Sequence, residues 1–183
     1  MSDAKYKRVF LKSLPPNAVS FFDNFWRPRI ATNSKVTMFQ EYELLKSTGR
    51  LGVFSRNGKT HQFWDSDTAK WLEAASYVLA TDPNQKLQKR VDAVARMYVR
   101  AQQPDGYLNS FFQRTAPDKR WTNLRDMHEL YCAGHLMEAA VARYEYCGKR
   151  DLIETLCRYA DHIGTVFGPG KGQKRGYPGH PEI

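Results

Sequence analysis

His128 and His135 stand seven residues apart in the stretch Trp121 to His135. Seven residues make about two helical turns, so both rings share the face that carries Met127, Tyr131 and Met137. An imidazole on an inward face needs a hydrogen-bond partner or a pocket. His128-Glu129 does not begin a zinc-protease motif, because that chemistry needs a second histidine four residues on and position 132 is Cys. Rings about 10 Å apart along a helix axis do not share one metal. His128, in the first turn of its helix, sits where helix starts and incoming loops meet at the rim of a cavity; the plainer reading is a core histidine bonded to a neighbour. His135, two turns deeper, reads as structural. Glu129 reads as a first-turn acid favoured by the helix dipole.

Trp64-Asp65-Ser66-Asp67, with Trp71 one turn on, sets paired carboxylates beside indoles. Sugar sites use aromatic faces against C–H faces and carboxylates against hydroxyls. An N-cap at Ser66 or Asp67 plus two core tryptophans explains the same residues, and both readings stay open. Asp105-Gly106-Tyr107 is most simply a turn. Gly170-Lys171-Gly172-Gln173-Lys174 is not a P-loop, since no Gly-Lys-Ser/Thr closes it. Cys132, Cys147 and Cys157 are odd in number and form no CxxC pair. They fit reduced, helix-packed thiols better than a disulfide framework or a zinc site.

The elements that must carry these groups are helical. Residues 1–31 lack helical periodicity and read as an extended or irregular segment, bounded by Pro15-Pro16 and Pro28. A first helix is expected from Asn33 to Thr48, stopping at Gly49. The second starts near Ser66 or Asp67 and ends before Pro83; the third spans Asn84 to Gln102, with Leu87, Val91, Val94 and Tyr98 at helical spacing. Tyr107 to Phe112 reads as a short extended piece. The fourth helix is expected from Arg125 to Tyr146 and the fifth from Asp151 to Phe167. Connections this short force antiparallel pairs, so stacked helical hairpins or a toroid are expected, with little strand. Gly168 to Gly179 is a loop, and His180-Pro181-Glu182 resembles a helix start. A domain seldom stops on such a signal, so a truncated product is expected.

At 183 residues and 42% apolar composition, the chain has room for one domain with a real core. No apolar run approaches a membrane span, and Met1 to Phe10 is polar and charged, which makes the cytoplasm the default address. The net charge of +9 is uneven: residues 1–60 hold 11 Lys/Arg against 4 Asp/Glu, whereas the rest is almost balanced. A nucleic-acid module places its charge on the folded face that docks, so this distribution argues against one.

Gln103-Pro104-Asp105-Gly106-Tyr107-Leu108-Asn109, the Trp121–His135 stretch and Gly176-Tyr177-Pro178-Gly179-His180-Pro181-Glu182 together resemble glycoside hydrolase family 127, the β-L-arabinofuranosidase-like enzymes. The likeness runs from Asn24 to Ile183. It implies an all-α fold whose antiparallel helix pairs form part of an (α/α)6 barrel. Residues 1–31 would be a short irregular or β segment, and 32–183 a partial catalytic domain cut short on its C-terminal side. The resemblance also implies retaining hydrolysis of terminal β-L-arabinofuranosyl groups. The nucleophile would be a cysteine thiolate on a zinc ion held by further cysteines and a glutamate, with another glutamate as acid/base.

Position by position, His128 of Met-His-Glu-Leu-Tyr and His180 of Gly-His-Pro-Glu match residues that bind sugar hydroxyls. Trp64 and Asp67 are expected beside them as further substrate-binding residues. Nothing here matches the nucleophile, the zinc ligands or the acid/base. No catalytic residue, metal ligand or cofactor is therefore expected in this chain, zinc belonging to the full-length family. The sequence reads as a glycosidase fragment supplying part of a sugar-binding wall and inactive alone, with a carbohydrate as partner and neither nucleic acid nor membrane. The alternatives are a non-catalytic carbohydrate-binding or assembly module and, more weakly, a basic nucleic-acid binder.

Overall fold

The computed structural model describes residues 14–183, and the first thirteen residues of the expected N-terminal segment lie outside the described part. Seven α-helices follow in order: α1 Trp26–Thr32, α2 Met38–Ser47, α3 Trp64–Thr81, α4 Gln85–Ala101, α5 Ser110–Arg114, α6 Glu129–Cys147 and α7 Asp151–Val166. No strand occurs among the described residues, only one isolated bridge between Phe167 and Lys174.

Local chemistry explains the boundaries. The Asn84 side chain accepts from the N–H groups of Lys86 and Leu87 and so starts α4, which buries Leu87, Val91, Val94, Ala95 and Tyr98. Gly148, at φ 66°, ends α6 and donates to the Tyr144 carbonyl. The chain turns helical at Trp26, not at Asn33, and this corrects the expected extended segment over its last residues. The start signal is Asp23, whose carboxylate accepts from Phe25 N–H at 2.7 Å and Trp26 N–H. Pro28 falls in the first turn, where its missing N–H costs no helical bond. A turn of wider π winding, Asn33–Thr37, joins α1 to α2, so Asn33 lies inside helical backbone and caps nothing.

Three further boundaries move. The second long helix begins at Trp64, ahead of the expected caps Ser66 and Asp67. Ser110–Arg114 is a helical turn capped by Asn109, not an extended piece. The fourth long helix begins at Glu129 rather than Arg125, and residues 180–183 form no helix.

α3 and α4 form one antiparallel hairpin, and α6 and α7 the next. The two hairpins stack with α3 alongside α6. Phe63 meets His128 at their N-terminal ends and Tyr77 meets Tyr146 near their C-terminal ends, so α3 and α6 run parallel. On the other layer Gln102, at the end of α4, donates to the Thr155 carbonyl of α7. Leu72, Ala75, Val91, Tyr98, Ala133, Leu136, Leu152, Leu156 and Tyr159 fill the space between the layers. Buried Arg143 crosses it, donating to Asp92 of α4 at 2.9 Å and to Asp151 of α7 at 3.0 Å.

Candidate functional site

His128 is the residue before α6, held at φ 57° and ψ 21° in the left-handed region. A non-glycine residue stays there only where its surroundings fix it. The anchor is the next residue. Glu129 is buried, and its carboxylate accepts the backbone N–H of Trp121 at 2.7 Å and the Tyr107 hydroxyl. Trp121 is itself left-handed at φ 57°. Glu129 thus ties both ends of the 121–128 loop to the core. Burial pushes its carboxyl up to about 7, against the lowering effect of those two donors. Asp65 performs a similar task from α3. Its buried carboxylate accepts Ser110 N–H at 2.6 Å, and burial pushes it up to about 6.

The glycine-rich tail brings the second histidine in. Gln173 accepts from Gly170 N–H and donates to the Gly164 and Phe167 carbonyls, closing the tail onto α7. Lys174 donates to the Trp121 carbonyl, and Gly179 N–H donates to the Leu124 carbonyl at 3.2 Å. Two glycines permit the close seating: a Cβ on Gly179 would lie 2.2 Å from the Arg125 oxygen, and one on Gly134 would lie 1.8 Å from the Glu182 oxygen.

The result is a histidine pair with the rings tilted against each other. His180 Nε2 and His128 Nε2 lie 3.2 Å apart, with ring centroids 4.9 Å apart. His128 Nδ1 contacts the Asp126 carbonyl at 2.7 Å, and a carbonyl only accepts, so Nδ1 carries a proton. In the neutral ring Nε2 is then an acceptor, and the His180 Nε2–H is its donor. Tyr131 lies against both imidazoles, with centroids 5.4 Å from His128 and 4.8 Å from His180. Lys70, exposed on α3, donates to the Tyr131 hydroxyl.

Sequence reasoning missed Tyr131 and Lys70 because their pairing joins helices 61 residues apart. Glu129 was missed because a first-turn acid is adequately explained by the helix dipole. His135 turns to Glu138 of its own helix at 3.0 Å. Trp64 and Asp67 form a neighbouring group: Arg50 binds Asp67 at 2.6 Å and lies 4.7 Å above the Trp64 ring. That group reaches the histidines through a chain of rings: His61 stacks on Trp64, and Phe63 meets both His61 and His128 edge-to-face. Trp71 belongs to the core, its indole N–H donating to the Met38 carbonyl.

Zinc chemistry of the kind the resemblance implies does not fit these cysteines. Cys132 is buried and directed at the Gln62 carbonyl, Cys147 is half-buried at the end of α6, and Cys157 is exposed on α7. Among the described residues no three metal-ligating side chains converge. Burial pushes the Cys132 thiol well above its ordinary range, which disfavours a thiolate.

The two stacked hairpins, with α3 parallel to α6, form a partial helical toroid that carries a histidine pair where a helix start meets an incoming loop. The chain belongs to glycoside hydrolase family 127: residues 18–183 match the family model described as β-L-arabinofuranosidase, GH127 catalytic domain. Over 125 residues the chain is 40% identical to the non-reducing end β-L-arabinofuranosidase of Bifidobacterium longum subsp. longum, a match covering 66% of this chain and 19% of that protein. A GH127 β-L-arabinofuranosidase from Geobacillus stearothermophilus superposes with a TM-score of 0.83 at 44% identity, over 90% of this chain and 28% of that one. A second GH127 β-arabinofuranosidase superposes with a TM-score of 0.83 at 36% identity, over 91% of this chain and 29% of that one. The fold is all-α and part of an (α/α)6 barrel, as expected from the sequence. The chain spans about a fifth of the curated relative's length and under a third of either solved enzyme. None of its helices is long and apolar enough to cross a membrane, among the described residues.

Proposed function

We propose that this chain supplies part of the sugar-binding wall of a non-reducing-end β-L-arabinofuranosidase-like glycosidase, with a terminal arabinofuranosyl group held between His128 and His180. The observation that carries the reading is the complementary polarity of the pair. One imidazole offers an acceptor and the other a donor, 3.2 Å apart. Neighbouring sugar hydroxyls each both donate and accept, so the free-state contact is replaced by one hydrogen bond to each ring. In this reading Trp64 and Asp67 meet an outer part of the glycan from the neighbouring group, where Arg50 holds the Asp67 carboxylate and lies over the indole.

Retaining hydrolysis needs a nucleophile and an acid/base on either side of one anomeric carbon. Beside the histidine pair this chain offers imidazoles, a phenol and an ammonium, and the buried carboxylates of Glu129 and Asp65 are engaged in fixing loops. The 183-residue chain therefore binds the sugar without turning it over.

The test is titration of the purified chain with methyl β-L-arabinofuranoside by calorimetry, together with an aryl β-L-arabinofuranoside turnover assay. Saturable binding that His128→Ala and His180→Ala each weaken about tenfold or more, without turnover, is the expected result. Equal binding by both variants, or turnover abolished by replacing Cys132 or Cys157, would contradict the reading.

A further inference from the structure

We infer that Tyr131 is a third sugar-binding residue of this site, a hydrogen-bond donor whose polarity is set by Lys70. The inference rests on the assignment of the histidine pair as the sugar grip, and it adds a donor that neither the sequence motifs nor the comparisons assign.

The argument is one of donors and acceptors. A lysine ammonium has three N–H donors and no acceptor. In the contact between Lys70 Nζ and the Tyr131 hydroxyl, the phenol oxygen must therefore accept. That leaves the tyrosine's own O–H to donate elsewhere. Among the described residues no protein group accepts that proton, although the ring is half-buried against His128, His135 and His180. Accepting from a cation polarises the phenol and strengthens it as a donor.

The Tyr131 ring packs edge-to-face on His128 and is tilted against His180. A sugar seated on the two Nε2 atoms lies beside this ring, and the Tyr131 O–H is the donor there without a protein acceptor. Lys70 reaches the site through Tyr131 and is a positioning residue. Its contribution links α3 to α6, so the sugar wall is completed only when the two hairpins stack.

The experiment follows methyl β-L-arabinofuranoside binding to the full chain by NMR, reading the imidazole resonances and the Tyr131 13Cζ signal, which reports hydrogen bonding at the phenol. In the wild type both are expected to shift with the same saturation curve. Tyr131→Phe keeps the ring and removes the O–H. It should weaken binding about tenfold at an unchanged melting temperature. Lys70→Met should weaken binding about threefold and Lys70→Arg should restore it, because arginine also only donates. If Tyr131→Phe and Lys70→Met bind as the wild type does, or if the 13Cζ signal stays still while the imidazoles respond, the inference is overturned and the histidine grip stands. If the wild-type imidazoles do not respond at all, the histidine grip falls and this inference with it.

Discussion

Gly134 of α6 lies directly beneath the carbonyl of Glu182, so close that an added Cβ would come within 1.8 Å of that oxygen. The gap left by one missing side chain seats the tail, and the tail carries His180 to His128. Sequence distance conceals this, since Gly134 and Glu182 are 48 positions apart.

Gly134→Ala is expected to separate binding from stability. Alanine is the better helix former by up to about 1 kcal/mol, so α6 should melt no earlier. The tail must shift, and sugar affinity should fall about tenfold. Gly164→Ala, in α7 with open space around its Cβ position, is the control and should leave affinity unchanged. Thermal melts and sugar titrations on the two variants check both halves. Normal affinity in Gly134→Ala would mean that the seating does not place His180.

Much of the scaffold was legible in the sequence. Leu87, Val91, Val94 and Tyr98 repeat at helical spacing and are buried on α4. The motifs around His128 and His180 carried the resemblance that singled out the pair, and the two rings meet. What was not legible depended on long-range partners. Pro28 looked like a break because the cap on Asp23 was not recognised, and so α1 was read as extended. His128 was placed inside a helix turn, whereas a buried bond from Glu129 to Trp121, eight residues back, starts the helix later and leaves His128 left-handed. The ion pair that Asp67 makes with Arg50, 17 residues back, was likewise not legible.

Glu129 should leave a mark on the pH dependence of stability. Its folded value of about 7 lies above the ordinary 4.5, so the folded chain keeps a proton that the unfolded chain releases. This contribution is full below about pH 4.5, falls as pH rises toward 7, and is flat above. Asp65 adds a similar decline between about pH 3.8 and 6. Glu129→Gln cannot titrate. Urea unfolding from pH 4 to 8 should show a shallower decline for this variant than for the wild type, whatever its absolute stability. Parallel curves would mean that Glu129 is not held protonated by the fold.

Arg143 clamps three helices from a fully buried position, bonding carboxylates on α4 and α7. Arg143→Met should cost about 2–4 kcal/mol, because Asp92 and Asp151 lose their partner while remaining partly enclosed. Urea denaturation gives the value directly. A loss below about 0.5 kcal/mol would place the clamp among the weak surface pairs.

The central claim, that His128 and His180 act as one sugar grip, is tested most directly by the 15N signals of the imidazole rings. Methyl β-L-arabinofuranoside should move the Nε2 signals of both rings along a single saturation curve, as their mutual contact gives way to bonds with the sugar. His162, bonded to the Asp105 carbonyl beside α7, should not respond. Movement of only one of the two rings, or of neither in a folded chain, would contradict the account.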